Sequence, residues 1–155
     1  MINKQNYDVF ILGGDILDEW STIKDLNNLQ TLLKNIKTKY GLYYIEGNHD
    51  PLTEKSRQFY KMANVTILED ESILINNQFY LIGRKDRSKK DALSLSTLTE
   101  KLNKQYPIIL LEHQQSTQKE LENSIIDVVL SGHTHGGQIW PANYFLKYGH
   151  YQYKN

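Results

Sequence analysis

Short runs of β-branched and aromatic residues alternate along the chain with stretches in which apolar residues return every third or fourth position. Val9-Phe10-Ile11-Leu12 reads as a buried strand that stops at Gly13-Gly14. Trp20, Ile23, Leu26, Leu29, Leu33 and Ile36 then mark one face of an amphipathic helix ending before Gly41. Leu42-Tyr43-Tyr44-Ile45 predicts a second strand. Phe59 and Met62 mark the inner side of a shorter helix over about Thr53 to Met62. Ile73-Leu74-Ile75 and Phe79-Tyr80-Leu81-Ile82 flank Asn76-Asn77-Gln78, the pattern of a β-hairpin. A third helix is expected from about Lys90 to Asn103, carrying Leu95, Leu98 and Leu102. Pro107 to Leu111 predicts a strand, Gln118 to Asn123 a short helix, and Ile125 to Leu130 another buried strand. Strands separated by helices imply βαβ units and a largely parallel α/β sheet with an antiparallel hairpin attached. No repeat, low-complexity tract or Pro/Gly-rich linker interrupts residues 1–155, so a single domain is expected.

Composition narrows the possibilities. The 155 residues carry 18 basic and 18 acidic side chains, a formal charge of +0, so nothing overall draws the chain onto nucleic acid or anionic lipid. The absence of cysteine excludes disulfides, thiolate nucleophiles and cysteine-ligated metal sites. No apolar stretch approaches the ~20 residues needed to span a bilayer. The polar start Met1-Ile2-Asn3-Lys4-Gln5-Asn6 does not read as a signal peptide. A soluble globular domain is the expectation.

The chemistry lies at the carboxyl end of each strand. The first strand leads into Gly13-Gly14-Asp15-Ile16-Leu17-Asp18, the second into Glu46-Gly47-Asn48-His49-Asp50. The strand ending at Leu111 leads into Glu112-His113, and the one ending at Leu130 into Ser131-Gly132-His133-Thr134-His135. Each piece alone is also ordinary turn chemistry. Together they place Asp, Asn and His at four carboxyl ends, where open α/β sheets bind ligands, and spend four of the five histidines there. Imidazole with carboxylate and amide oxygen suits zinc, manganese or iron. His133 and His135 would point to one side on extended backbone, or bracket two ions on a turn. Glu46 and Glu112 read either as groups that hold imidazoles in place or as surface acids. The run Arg84-Lys85-Asp86-Arg87-Ser88-Lys89-Lys90 reads as a solvated loop, with a phosphate contact for Arg84 as the alternative. The aromatics Trp140, Tyr144, Phe145, Tyr148, Tyr151 and Tyr153 read as cover for a hydrophobic face.

In this order the residues resemble the calcineurin-like metallophosphoesterases, whose signature runs Asp-x-His, Gly-Asp-x-x-Asp, Gly-Asn-His-Asp/Glu, an isolated His, then Gly-His-x-His. The last four match Gly14-Asp15 to Asp18, Gly47-Asn48-His49-Asp50, His113 and Gly132-His133-Thr134-His135. Gly136-Gly137-Gln138-Ile139-Trp140-Pro141 is similar to the bacterial branch, whose members are often membrane-attached or exported. The resemblance implies an α/β/β/α sandwich and hydrolysis of a phosphomono- or phosphodiester by water activated at two divalent transition-metal ions, manganese, iron or zinc. Asp15 would bridge the ions. Asn48, His113 and His133 would complete one site, and His135 would ligate the other. His49 would act as general acid, oriented by Asp18. The opening Asp-x-His has no counterpart, since no histidine precedes His49. One ion would then keep four ligands and the other two, Asp15 and His135. The expectation is a partial domain, truncated at both ends, that holds one ion well or none, turns over weakly or not at all, and has an open sheet edge through which it could self-associate. Two further readings stay open: a non-catalytic metal- or protein-binding module on the same fold, and a nuclease, against which the neutral charge counts.

Overall fold

The computed structural model describes residues 5–17 and 21–134. In chain order the elements are β1 (Asn6–Tyr7), β2 (Phe10–Leu12), α1 (Ile23–Lys34), β3 (Lys37–Thr38), β4 (Leu42–Tyr44), α2 (Glu54–Met62) and β5 (Thr66–Ile67). The chain continues through β6 (Glu71–Ile75), β7 (Phe79–Gly83), α3 (Leu95–Thr99), β8 (Ile108–Glu112), α4 (Gln118–Glu122) and β9 (Val128–Ser131). Each helix starts after a Ser or Thr whose side chain accepts a bond from the backbone three residues on: Thr22, Thr53, Ser94 and Thr117. Thr22 and Asp25 form a full capping box, which starts α1 at Ile23; Trp20, where the apolar spacing begins, lies outside the described residues.

The strands form three ladders, β1-β3, β2-β4-β5 and β6-β7-β8-β9. Every pairing is parallel except the β6–β7 hairpin, where Ile75 faces Phe79 across the tight turn. Period-two alternation sorts the side chains into three cores. Leu42 and Tyr44 face α1 and α2, where they meet Leu12, Leu33, Tyr60, Ala63 and Val65. Tyr43 and Ile45 point the other way and pack with Ile75, Leu81 and Leu111 between the two larger sheets. Ile82, Ile108 and Leu110 face outward again, onto Leu95 and Leu98 of α3. The order is helix, sheet, sheet, helix, as the resemblance implies. It follows from strands buried on both faces, each side chain of Leu or Ile size contributing roughly 1.5–3 kcal/mol.

Two expected elements differ. The helix expected over residues 90–103 contracts to α3, because the Asp70 carboxylate accepts the Leu93 amide at 2.9 Å and Ser94 caps at the next position. The strand expected over residues 125–130 starts at Val128, after Asp127 has bonded Ile108 through both its backbone and its carboxylate. It is not buried as expected. Val129 packs into the outer core, while Val128 and Leu130 are each 46% exposed on the opposite face.

Candidate metal centre

Parallel pairing brings the carboxyl ends of β2 and β4 together in one sheet and those of β8 and β9 together in the other. Asp15, Asn48 and His49 leave the first pair of ends, and His113 and His133 the second. The two sheets are joined at this edge by the His113 ring, whose Nδ1 lies 2.7 Å from the carbonyl oxygen of Gly13, 100 residues away. The Gly132 amide donates in turn to the His113 carbonyl at 3.1 Å, which holds the β9 turn beside it.

Backbone geometry turns Asp15 inward. Gly14 (φ +85°) and Asp15 itself (φ +54°) both occupy the left-handed region, which Asp tolerates better than most residues. The carboxylate then reaches across to the loop after β4, where Asp15 Oδ1 accepts the His49 amide at 2.9 Å. The approach is close enough to require glycine. A Cβ on Gly47 would lie 2.8 Å from Asp15 Cγ and nearer still to its Oδ1 and backbone nitrogen, and one on Gly14 would lie 2.6 Å from His113 Nδ1.

The remaining polar atoms converge without partners. His113 is 3% exposed, and its Nδ1–H donates to Gly13, so a neutral ring presents a lone pair at Nε2. That Nε2 lies 2.9 Å from Asp15 Oδ2, yet the contact lacks the alignment of a hydrogen bond. A neutral ring and a carboxylate held this close turn lone pairs toward one another, an arrangement that a bound cation would relieve. Asn48, between two residues that contact Asp15, also buries its Oδ1 with no partner. The His133 ring stands 5.3 Å from that of His113, edge to face, and the ligand atoms of Asp15, His113 and His133 lie within 4.8 Å of one another. A carboxylate and two imidazoles form a donor set that fits a divalent transition metal.

The structure thus brings together Asp15, His113 and His133, and Asn48 lies in the loop whose next residue, His49, bonds Asp15 through its amide. His133 has φ +67°, so it sits on a turn, not on extended backbone. His49 has an exposed side chain and is tied to the site through its backbone amide. Asp18, His135 and the aromatics from Trp140 onward lie outside the described residues.

Glu46 and Glu112 are not surface acids: both are buried, 2% and 1% exposed, and among the described residues neither bonds an imidazole. Glu46 accepts the Leu52 amide at 2.7 Å and pairs with Lys89 at 3.0 Å. Glu112 takes both the amide and the hydroxyl of Ser116. The basic run is not simply solvated either. Arg84 is 7% exposed, with Nε on the Leu93 carbonyl, one terminal nitrogen on Ser116 Oγ and the other on Glu120 at 2.9 Å, so all three of its nitrogens are engaged inside the fold and the side chain is not presented to solvent as a phosphate contact would require.

One residue of the site was visible in the sequence only as the last letter of a motif. Asp50 is buried, and its carboxylate accepts the Gly47 amide at 2.8 Å and the Ile16 amide at 2.7 Å. Its carbonyl oxygen accepts the Tyr44 hydroxyl at 3.2 Å, and the Tyr44 ring stacks on Tyr60 with centroids 4.0 Å apart. Burial, followed by neighbouring groups including the Asp50 carboxylate, pushes both phenols well above the ordinary tyrosine range.

Comparison with known proteins agrees with this geometry. The sequence model of the calcineurin-like phosphoesterases matches residues 1–137. A Helicobacter pylori protein named an uncharacterized metallophosphoesterase is 33% identical over 153 residues, covering 94% of this chain and 40% of its own length. An Aquifex aeolicus protein of the same description is 30% identical over 152 residues, covering 92% of this chain and 56% of its own. A Bos taurus protein named a transmembrane protein with metallophosphoesterase domain is 27% identical over 163 residues, covering 92% of this chain and 36% of its own. The chain therefore spans about a third to just over half of the length of these relatives. No solved structure matches it. Among the described residues, no helix is long and apolar enough to cross a membrane.

Proposed function

The chain belongs to the calcineurin-like phosphoesterase family, and on that premise we propose that it is a metal-dependent phosphoesterase whose own residues hold one divalent ion firmly. The observation that supports this reading is the cluster of Asp15, His113 and His133, whose ligand atoms lie within 4.8 Å of one another, with His113 Nε2 2.9 Å from Asp15 Oδ2 and no hydrogen bond between them. Asp15, Asn48, His113 and His133 hold the ion. His135 together with Asp15 gives a second site only two protein ligands, fewer than transition-metal sites normally use. When bound, the ion supplies Lewis acidity, lowering the pKa of a coordinated water and neutralising charge on phosphoryl oxygens.

The protein's own groups do the rest. Gly13 fixes the His113 tautomer so that Nε2 faces inward as a ligand and not as an acid. His49, held at the site by its amide and exposed at its ring, delivers a proton to the departing alkoxide, with Asp18 orienting the imidazole. The substrate class is a phosphate ester.

The test loads the full chain with manganese or zinc and measures ions per chain by elemental analysis, together with turnover of a chromogenic phosphodiester. The expected result is about one retained ion and weak turnover, both lost in Asp15→Asn and His113→Ala. Two tightly held ions, or ion retention unchanged in His113→Ala, refutes the reading. Retained metal with no turnover on any phosphate ester would instead favour a binding module on the same fold.

A further inference from the structure

Asp50 is a buried carboxylate with no Lys or Arg within ion-pair distance among the described residues, a costly arrangement unless its oxygens are fully engaged. They are engaged by backbone amides from two loops far apart in sequence. Oδ1 accepts from Gly47, at the head of the loop after β4, and Oδ2 accepts from Ile16, 34 residues away in the loop after β2, with the Leu17 amide at 3.4 Å. Between these amides runs a reciprocal bond, His49 to Asp15 Oδ1. The two loops thus exchange carboxylates: each lends an aspartate to the other's backbone. The result fixes Asp15 against Asn48 and leaves Asp15 Oδ2 as the oxygen turned to His113. Asp50 itself does not join the group of Asp15, His113 and His133, because both of its oxygens point at amides.

We infer that Asp50 is a positioning residue that preorganises the metal site, clamping the Asp15 loop to the Asn48–His49 loop without touching the ion. The inference rests on the metal-site reading above. Both oxygens are required. In Asp50→Asn one acceptor becomes an NH2 group aimed at a backbone N–H, so one half of the clamp opens while side-chain volume is unchanged. In Asp50→Glu both acceptors survive but are displaced by one methylene.

The experiment titrates cobalt(II) into the full-length metal-free protein and its variants. It follows the visible d–d absorption for coordination geometry and records thermal unfolding of each metal-free form. Loss of a group that orients metal ligands typically weakens binding 10–100-fold. Asp50→Asn is expected to bind cobalt 10–100-fold more weakly, with an altered absorption band and a metal-free protein that is still cooperatively folded. Asp50→Glu is expected to lie between it and the parent.

Parent affinity and spectrum in Asp50→Asn overturn the inference, as does an Asp50→Glu protein that binds no better than Asp50→Asn. Should Asp50→Asn fail to fold, Asp50→Glu decides alone: weakened cobalt binding with an altered band supports the clamp, and parent-like binding overturns it. His113→Ala runs alongside. If it still binds cobalt normally, the metal-site reading has failed; if it loses cobalt while Asp50→Asn keeps it, only the clamp has failed.

Discussion

Placing a methyl group on Gly47 tests the close approach on which the site depends. Its Cβ would sit 2.8 Å from Asp15 Cγ and closer to the Asp15 backbone nitrogen, where carbon normally keeps about 3.5 Å. The obstacle is backbone, and Asp15 is already held in the left-handed region, so neither rotamer choice nor a small twist relieves it. The two loops must part by about 1 Å. Forced overpacking of this kind costs about 1–3 kcal/mol, which for a chain of this size lowers Tm by roughly 2–12 °C. Parting the loops also breaks the His49–Asp15 bond and moves Asp15 away from Asn48, so metal affinity should fall by at least about tenfold. Gly13→Ala is the control: its Cβ meets nothing within 4 Å, although the residue is only two positions from Asp15. Calorimetric titration with manganese and thermal unfolding of both variants check this. A Gly47→Ala protein with parent-like Tm and metal affinity, or a Gly13→Ala protein as impaired as Gly47→Ala, would refute the steric argument.

Two other consequences are testable. Arg84→Ala strands Glu112, 1% exposed at its side chain, and removes the link to Glu120, so urea denaturation should show a loss of about 3–5 kcal/mol; a loss below about 1 kcal/mol would mean the network is not structural. Tyr44 and Tyr60 have folded pKa values raised by burial above the unfolded value near 10. Their contribution to stability is complete below about pH 10 and is lost as pH rises beyond it, because only the unfolded state then releases these protons. Phenolate absorbance should therefore show two of the eleven tyrosines ionising only as circular dichroism reports unfolding. Titration of all of them near pH 10 in a native protein would contradict the burial.

Much of the site could be read along the chain because parallel βαβ topology converts order into place. Asp15, Asn48, His113 and His133 each come after an apolar run, and strands that run parallel must bring their carboxyl ends to one edge. The hairpin around Asn76-Asn77-Gln78 and the four Ser/Thr caps are likewise local chemistry, decided within a few residues. Where neighbours compete, local pattern misleads. Leu95, Leu98 and Leu102 have helical spacing, but the Asp70 carboxylate takes the Leu93 amide and shortens the helix from outside.

What the sequence determined by itself is the α/β class with mostly parallel strands and the identity of the candidate metal-binding side chains, since both depend on periodicity and on which residues end each strand. Tertiary structure alone decided the partners. Arg84 belongs to a buried strut and not to a phosphate site, because Glu112, Ser116 and Glu120 converge on it from a segment some 30 residues on. The tautomer of His113 is set by a carbonyl 100 residues away, and the role of Asp50 by an amide 34 residues away. Hydrogen bonds of that range have no period to read; they exist only once three cores have stacked the sheets and pressed two loops together.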